Sequence, residues 1–376
     1  MDKRQKGDGG LVVLLAGLLL LGGVWLALFP APRYSEAENR YLADFPTVDR
    51  TTLAAGTLGA SLDTYCAERL PFRDVLRGAR ALYHLALGER EVNGVIYAHD
   101  GSLVRRMTVN DGAYAQNLGA LTRLAREAAA IDRPFAVAVA PRRVDVCYAQ
   151  LPTLYHATRE QEVWEMLEDA YPNACDLLHR TTEEHWFRTD HHWTTNGAFC
   201  AYEALGTMLG YTPLDKHSFA PKTVHSAFFG TSDAAAGIPH ITPDTLTLLT
   251  RADDGDYRAT ADGKPLSFAG FYDESKLETR DKYAVFLGGN YGVLEIEKGE
   301  IDTRPTLLVI KDSFANSVLP FLARHYRIVA VDPRYFRGDL TPLAAASDSI
   351  LLLCGMQTLT EASLFQRTHF QSKKAR

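Results

Sequence analysis

The stretch LLVIKDSFANSVLPFL, residues 307–322, decides the fold that we predict for this 376-residue chain. It begins as a short apolar run typical of a buried strand and continues as a helix-like segment at 314–324. Two further strand-like runs follow, YRIVAVD (326–332) and SILLLC (349–354), and a second helix-like stretch lies at 358–365. Because strand–helix–strand alternation forms right-handed crossovers, this pattern predicts an α/β fold with a parallel sheet covered on both faces.

Further helix-like and strand-like segments lie upstream of this alternation. FAVAVAP (135–141) is a short apolar run of the kind found in buried parallel strands. Residues 91–104 alternate apolar and polar side chains around two turn signals, which predicts a hairpin. Helical periodicity is present at 61–82 (interrupted at Pro71), 114–130, 160–170 and 196–209. Residues 212–280, rich in Asp, Gly, Pro and Thr, predict an irregular insertion over one face.

The N-terminus carries LVVLLAGLLLLGGVWLALF at 11–29, which contains no charged residue. As a helix it would span roughly 28 Å, about the thickness of a bilayer's hydrocarbon core. This predicts an uncleaved transmembrane signal-anchor, with a cleaved signal peptide as the alternative. Lys3, Arg4 and Lys6 precede the run and favour a cytoplasmic N-terminus.

These features predict the domain organisation and the location of the protein. We expect residues 1–10 in the cytoplasm, the anchor at 11–29, a lead-in region at 30–100 and the main domain at 101–376. The chain would then be a single-pass protein of the cell membrane whose main domain is extracytoplasmic.

Composition argues against some classes of protein. The chain is 46% hydrophobic and 23% charged, as expected of a protein with a packed core. Its formal net charge is -6 and it has no Lys/Arg-rich block, so we predict no nucleic-acid binding. The five cysteines include no C-x-x-C pair, which argues against a zinc ribbon, and a Cys175–Cys200 disulfide stays open.

Ser313 follows directly on the first C-terminal strand and opens the helix-like segment. Open α/β sheets bind ligands outside the carboxyl ends of their strands, near helix N-termini. Backbone N–H groups there can stabilise a developing oxyanion, and the helix dipole favours negative charge. Ser313 is therefore a candidate nucleophile, and the alternative is that it only caps the helix.

FRTDHHWT, residues 187–194, offers the partners that a nucleophilic serine needs. A serine hydroxyl is a weak nucleophile unless a histidine takes its proton and an acid orients that histidine. In an extended segment Asp190 and His192 lie on the same side, while His191 points the other way. Asp190 would then hold one ring nitrogen of His192 while the other faces Ser313.

Other interpretations of this segment stay open. His185, Asp190, His191 and His192 are of metal-ligating types, but adjacent histidines on an extended segment diverge and no H-E-x-x-H spacing is present. We therefore predict no metal site. The segment could also be a purely structural turn. We expect Trp193 in the core or the wall of the site, with stacking on a substrate sugar as the alternative.

Ordered sequence blocks along most of the chain after the anchor carry a family resemblance. They are SEAENRYLADFP (35–46), RLPFRD (69–74), NGVIYAHDGSLV (93–104), TDHHWTTNGA (189–198), FFGTS (228–232), KYAVFLGGNYG (282–292), KDSFANSVLPFL (311–322) and VAVDPRYF (329–336). The chain resembles the DHHW family, named for the residues seen here as Asp190 to Trp193. That family is similar to the SGNH-hydrolase-like domains of the alginate acetylation proteins AlgX and AlgJ.

The resemblance implies a three-layer α/β/α fold of the SGNH-hydrolase type, here preceded by one transmembrane helix. It also implies a Ser–His–Asp triad of Ser313, His192 and Asp190, with the Asp-x-His element ahead of the serine as in the alginate proteins. The chain departs from ordinary SGNH hydrolases at Lys311, which stands where those enzymes have a glycine before Asp-Ser.

The oxyanion hole is expected from two segments. The backbone N–H of Ser313 is the first candidate, and Gly289 or Asn290 in FLGGN is the second. The alternative for FLGGN is a tight turn between a strand and a loop.

Two arginines at strand ends are candidates for substrate binding. Arg334 follows YRIVAVD, and Arg142 follows FAVAVAP. The alternative for Arg334 is an ion pair with Asp332 or Asp339. Ser232 in FFGTS is an alternative nucleophile, although no pattern places it at a helix start.

The resemblance implies a serine-dependent O-acetyltransferase or acetylesterase that acts on a cell-surface polysaccharide. We predict no cofactor. It also implies a multi-pass membrane O-acyltransferase as partner. A non-catalytic glycan-binding or scaffold protein of the same fold is one alternative, and a metal-dependent hydrolase is another.

Overall fold

The computed structural model describes residues 33–35, 40–70, 72–153, 155 and 159–370, together with positions 10, 12, 13, 16, 17, 20–25 and 28. The described positions between 10 and 28 are helical. No helix within these described ranges is long and apolar enough to cross a membrane. The predicted anchor at 11–29 lies partly outside the described residues, so it stays a prediction.

The chain divides into two compact units, and each is described by itself. The described residues up to Glu89 form the first unit together with Ala234–His240. Its elements from residue 33 onward are β1 (Tyr34–Ser35), β2 (Arg40–Tyr41), α1 (Arg50–Ala54), α2 (Leu58–Arg69) and α3 (Arg73–Ala86). The predicted interruption of the first long helix is confirmed, because α2 ends at Arg69 and α3 begins at Arg73.

The second unit comprises Arg90–Asp233 and Ile241–Arg376 and is built on a mixed sheet. Among the described residues this sheet has seven strands in the order β10-β9-β11-β13-β12-β14-β6. The strands are β6 (Phe135–Ala140), β9 (Tyr257–Ala261), β10 (Lys264–Pro265), β11 (Val293–Lys298), β12 (Thr306–Lys311), β13 (Arg327–Val331) and β14 (Ser349–Gly355).

Two smaller antiparallel sheets and several helices complete the second unit. The sheets are β3 (Glu91–Val92) with β4 (Val95–Tyr97) and β5 (Leu103–Arg105), and β7 (Ala220–Phe228) with β8 (Asp244–Thr250). The helices are α4 (Asp111–Ala130), α5 (Arg143–Val146), α6 (Glu160–Ala170), α7 (Thr195–Leu209), α9 (Leu319–Leu322), α10 (Thr341–Ala345) and α11 (Met356–Glu361). A further helix, α8 (Thr231–Ala236), crosses the boundary between the units.

Short 3-10 helices lie in the connections of the second unit. Their bounds are Tyr148–Gln150, Glu183–His185, Lys216–Ser218, Asp254–Asp256, Glu274–Glu278, Lys282–Val285, Ser313–Ser317 and Phe365–Arg367.

Strand β12 shows why the sheet is buried on both faces. Leu307 and Val309 belong to one core cluster with Trp193, while Leu308 and Ile310 belong to another on the opposite face. All four of these aliphatic side chains are fully buried. A strand without a solvent-facing side explains the continuous apolar run in the sequence. The predicted α/β class with a parallel-containing sheet is confirmed.

Two predictions about the sheet need correction. β13, β12, β14 and β6 pair in parallel, but β11 and β9 pair antiparallel at the other edge, so the sheet is mixed. The segment 212–280 was predicted as an irregular insertion. It contributes β9 and β10 to the central sheet and forms the β7–β8 pair, because its alternating strand residues bury one face.

The helix predicted at 314–324 is also shorter than expected. Ser313–Ser317 is a 3-10 turn, and α9 follows with a proline in its first turn. Pro320 has no N–H to donate to the carbonyl of Asn316, so one continuous α-helix would lack a bond there. Proline is tolerated in the first turn, which is where α9 places it.

Candidate active site

The DHHW segment is held in a tight hairpin-like loop ahead of α7. Trp186 and Trp193 form an antiparallel bridge, and the N–H of Phe187 donates to the carbonyl of His192 at 3.3 Å. Thr194 then caps α7, since its side chain accepts from the N–H of Gly197. The cap fixes where the helix begins and therefore fixes the four residues just before it.

Ser313 lies at the carboxyl end of β12, as predicted, but it does not cap a helix. The N-cap is Asp312, whose carboxylate accepts from the N–H of Phe314 at 2.9 Å and from the N–H of Gly355 at 2.8 Å. Asp312 also accepts from the hydroxyl of Thr358 at 2.5 Å. The 3-10 turn is too short for a sizeable helix dipole, so its contribution is the local backbone N–H of Ser313.

The structure brings Ser313, His192 and Asp190 together. His192 Nε2 lies 2.8 Å from Ser313 Oγ, and His192 Nδ1 lies 2.6 Å from Asp190 Oδ1. His192 and Asp190 are both buried. Both ring nitrogens of the histidine are therefore within hydrogen-bond distance of the partner types that activate a serine.

Asp190 is also held by Thr231 of the FFGTS segment (228–232), a contact that the sequence did not predict. Its Oδ2 accepts from the N–H of Thr231 at 2.7 Å and from the Thr231 hydroxyl at 3.0 Å. Its Oδ1 accepts from the His192 N–H at 2.9 Å as well as from the ring. Burial alone would raise the pKa of Asp190, but its interactions with His192, His191 and Thr231 hold that pKa well below its ordinary value.

The FFGTS block requires a glycine at position 230, beside Thr231. A Cβ at this position would lie 2.3 Å from Asp190 Oδ2, closer than any real contact. The carboxylate and the backbone of residue 230 therefore share space that only glycine leaves free.

The ring of His192 packs on Tyr283. Their ring centroids are 3.9 Å apart and the planes differ by only 6°. The Tyr283 hydroxyl lies 2.9 Å from Ser317 Oγ, and Trp193 Nε1 donates to the same oxygen at 2.9 Å. Ser317 thus ties both aromatic side chains to the turn that carries Ser313.

Trp193 has a structural role in the core. Its side chain is fully buried, so the alternative of a sugar-stacking surface is wrong. The reason is local: its indole N–H is used inside the protein and its ring packs on Phe314 at a centroid distance of 5.3 Å.

The prediction that His191 points away from His192 is also wrong. The two ring centroids are 3.8 Å apart, because residues 190–192 lie in a bend and not in an extended strand. Asp190, His191 and His192 can therefore present three ligand atoms within 4.8 Å of one another. A metal ion would have to displace the Asp190–His192 bond and the 2.5 Å contact between His191 Nδ1 and Thr231 Oγ1. These residues are better matched to one another than to a metal ion.

Two donors have no hydrogen-bond partner among the residues that the structure describes: the Ser313 N–H and Nδ2 of Asn290, whose side chain contacts Lys311 and Asn316 on either side of Ser313 in the sequence. Asn290 Oδ1 accepts from Lys311 Nζ at 3.3 Å and from Asn316 Nδ2 at 3.1 Å. Because both bonds use its oxygen, the amide is oriented and its N–H groups stay available. The N–H of Gly289 instead donates to Phe286 at 3.3 Å, so Asn290 is the better of the two predicted donors.

Lys311 is the last residue of β12 and lies two positions before Ser313. It is buried, and its ammonium donates to Asn316 Oδ1 at 2.7 Å. Burial lowers the pKa of Lys311 to about 8, partly offset by Asp332 at 4.0 Å. The buried ammonium group of Lys311 therefore holds the side chains of Asn290 and Asn316 in place.

The two predicted arginines have different surroundings. Arg334 forms a two-bond ion pair with Asp332, at 2.9 and 2.6 Å, which is the alternative expected for it. Its role toward substrate stays a prediction. Arg142 pairs with Asp145 at 3.0 and 2.7 Å and lines a small cavity together with Asp190 and His191. Ser313 does not line this cavity, so Arg142 borders the acid and not the serine.

Ser232 differs from its prediction in one respect. It lies in the first turn of α8, although no sequence pattern indicated a helix there. It is almost fully buried and lines the same cavity as Arg142. Its hydroxyl has no hydrogen-bond partner among the described residues, so no histidine base serves it.

The comparisons with known proteins agree with the predicted resemblance. Residues 172–332 match the family model described as DHHW protein. This range includes Asp190, His192, Tyr283, Asn290 and Ser313. The suspected resemblance to the DHHW family is therefore confirmed. A search of curated proteins finds no match.

A DHHW family protein and PatB1 are solved structures that share the fold of this chain. A DHHW family protein from Eubacterium siraeum is 21% identical with a TM-score of 0.61, over 75% of this chain and 97% of the other. Bacillus cereus PatB1 with a sulfonyl adduct is 19% identical with a TM-score of 0.59, over 73% and 99%. The O-acetyltransferase domain of Pseudomonas putida AlgJ is 15% identical with a TM-score of 0.45, over 71% and 92%.

Proposed function

We propose that this chain is a serine-dependent acyltransferase or esterase of the SGNH-hydrolase-like, three-layer α/β/α type, and that it transfers acetyl groups on a cell-surface polysaccharide. The observation that carries the proposal is the hydrogen-bonded line from Ser313 Oγ through the His192 ring to Asp190, with distances of 2.8 and 2.6 Å. Acetyl and polysaccharide are proposed from the resemblance to the alginate acetylation proteins.

The first half of the reaction forms an acyl-serine. His192 Nε2 takes the proton of the Ser313 hydroxyl while Oγ attacks the acyl carbonyl carbon of the donor. Asp190 keeps Nδ1 protonated and stabilises the resulting imidazolium. The tetrahedral intermediate then collapses, and the leaving group departs with the proton that His192 returns.

The second half regenerates the serine. His192 takes a proton from a sugar hydroxyl, whose oxygen attacks the acyl-serine carbonyl, and Ser313 leaves with the proton. When water replaces the sugar, the same sequence releases the free acid. Transfer and hydrolysis therefore need the same three side chains and differ only in the acceptor.

The negative charge of both tetrahedral intermediates needs donors that are already in place. The Ser313 N–H and the Asn290 amide are assigned this role, because neither has another partner among the described residues. Lys311 acts indirectly, by holding Asn290 through its oxygen.

The location is part of the proposal. A membrane anchor at residues 11–29 would hold the enzyme domain outside the cytoplasm, next to a multi-pass membrane O-acyltransferase that supplies the acyl group. Support for this part comes from the uncharged N-terminal run and from the family resemblance.

The test is acetyl release by the purified full chain from an aryl acetate and from acetylated oligosaccharides. Ser313→Ala and His192→Ala are each expected to lower kcat/KM by at least about 10³-fold. Ser232→Ala is the matched control, since this buried serine contacts no base, and it should keep the activity. Equal inertness of the unmodified chain and both variants would support the non-catalytic scaffold instead.

Covalent labelling gives a second, independent test. A sulfonyl fluoride should attach to Ser313, as judged by peptide mass spectrometry, and the His192→Ala variant should be labelled far more slowly. Attachment at another residue, or labelling of His192→Ala at the rate of the unmodified chain, would contradict the assignment of Ser313 as the nucleophile.

A further inference from the structure

Helix α3 has an exposed apolar stripe that the proposed reaction does not use. Val75 and Tyr83 are 69% and 62% exposed, and Leu76 and Leu82 are 51% and 48% exposed. Val75 and Leu82 are seven residues apart, as are Leu76 and Tyr83, and seven residues are close to two helical turns. The two neighbouring pairs therefore lie along one side of the helix.

The opposite side of α3 faces the first unit's interior. Arg77 donates to the carbonyls of Ala234 and Ala235 at 3.2 and 3.0 Å, and Ala81 is fully buried. The helix is thus packed through one face, and the apolar stripe lies on the other. An exposed apolar surface of this kind marks an interaction site.

The start of α3 lies next to the end of the predicted anchor. Phe72, which precedes α3, contacts Trp25 at a ring-centroid distance of 6.4 Å. Trp25 is four positions before the last residue of the uncharged run at 11–29. Tryptophan near the end of a membrane span lies at the interface between headgroups and acyl chains. Phe72, and with it the first turn of α3, would lie at the same level.

The charges of α3 fit a membrane surface better than a protein groove. Arg80 is exposed beside the stripe, whereas Arg73 pairs with Asp74 at 3.6 Å, and Asp74 is the only acidic residue of the helix. Helices that lie in a membrane interface combine an apolar face carrying Leu, Phe or Trp with arginines at its borders. Each arginine near an anionic surface adds to binding.

We infer that α3 lies in the membrane interface, with the stripe Val75, Leu76, Leu82 and Tyr83 among the acyl chains and the exposed Arg80 among anionic headgroups. This rests on the anchoring part of the proposed function. The enzyme domain would then be held to the bilayer at two points, an anchor and a helix lying along its surface.

The experiment places fluorescent labels on the full chain in lipid nanodiscs. Cys66 and Cys200 are replaced by Ser, and a polarity-sensitive label is attached at Leu82→Cys, at Val24→Cys or at Ile301→Cys. Ile301 is the matched control because it is 84% exposed and lies in the other unit. Lipids that carry a spin label in the acyl chain are the quencher.

Strong quenching at positions 82 and 24 but not at 301 is the expected result. Arg80→Gln should reduce quenching at 82 in nanodiscs with phosphatidylglycerol and leave it unchanged in purely zwitterionic ones. Quenching at 24 alone would overturn the inference and leave the anchor intact, whether position 82 is then open to water or covered by protein. Loss of quenching at both positions would overturn the anchor as well, without touching the triad.

Discussion

The two sides of His192 differ in how completely their polar groups are paired. On the acid side, both oxygens of Asp190 accept two hydrogen bonds each, from His192 and from Thr231. On the serine side, the Ser313 N–H and the Asn290 amide lack partners among the described residues. All hydrogen bonds of the acid side are formed before any substrate binds, whereas the donors of the serine side gain partners only when a substrate is bound.

The difference follows from what each side does in the proposed reaction. Asp190 must hold a ring in one orientation throughout, and a fully paired carboxylate resists movement. The oxyanion exists only in the tetrahedral intermediates, so its donors must be unoccupied beforehand and already oriented. Substitutions on the two sides should therefore affect catalysis and stability in different ways.

Asp190→Asn tests the paired side and should have the largest effect. The asparagine keeps the shape but loses the charge that stabilises the imidazolium and selects the tautomer of His192. We expect kcat for acetyl release to fall by about 10⁴-fold. A loss of less than tenfold, in a variant whose melting temperature is unchanged, would mean that Asp190 does not orient the base.

The same variant predicts a pH dependence of stability. The pKa of Asp190 is lower in the folded chain than its ordinary value of 3.8, so the ionised form stabilises the fold. This contribution is present above the unfolded pKa and is lost as pH falls through the folded pKa. Urea unfolding should therefore show the largest difference between the unmodified chain and Asp190→Asn near neutral pH, with a smaller difference at pH 3 and below.

Asn290→Ala tests the unpaired side. Removing one oxyanion donor is expected to lower kcat by about 10²- to 10³-fold with little change in KM, because the bond forms only in the intermediate. Asn290→Asp is the matched variant, since it keeps the oxygen that Lys311 and Asn316 bind but has no N–H to donate. If the aspartate variant retains the activity that alanine loses, Asn290 is a support and not a donor.

Gly230→Ala disturbs the acid side without removing a polar group. The new Cβ would lie 2.3 Å from Asp190 Oδ2, so the carboxylate must shift. A shift of this size in a positioned group can cost about 10²-fold in rate, and we expect kcat to fall by roughly that factor. Gly59→Ala in α2 is the control, because no atom lies within 4 Å of its added Cβ. Equal activity of both variants would show that Asp190 tolerates displacement.

Ser313 and the Asp-x-His pair could be found from sequence because their signals are local. A serine at the end of an apolar strand and an acid two positions before a histidine are visible in a few residues each. The α/β class was likewise predictable from the buried runs that became β12, β13 and β14. Long-range pairing was not predictable: β9 joins the sheet from a segment whose composition indicated a loop.

The supporting residues were missed for a different reason. Gly230 and Thr231 act on Asp190 from about forty positions away, and Tyr283 reaches His192 from about ninety, so neither contact leaves a local pattern. Lys311 stands out in the sequence only as a difference from ordinary SGNH hydrolases, and its contacts depend on the positions of Asn290 and Asn316. His191 was misplaced because the alternation rule holds for strands, whereas its segment is a bend.

Tyr283 offers the smallest and most discriminating test, because it supports the ring that both sides share. Tyr283→Leu removes the stacked aromatic face, which favours the imidazolium formed during the reaction, and should lower kcat by about tenfold. Tyr283→Phe keeps the face and loses only the bond to Ser317, so its effect should be a few-fold at most. If phenylalanine is as damaging as leucine, the Ser317 bond matters more than stacking, and Ser317→Ala should then reproduce the loss. If neither change alters kcat, the ring of His192 is held by Asp190 alone. The hydrogen bonds that Asp190 accepts are then sufficient to position the base.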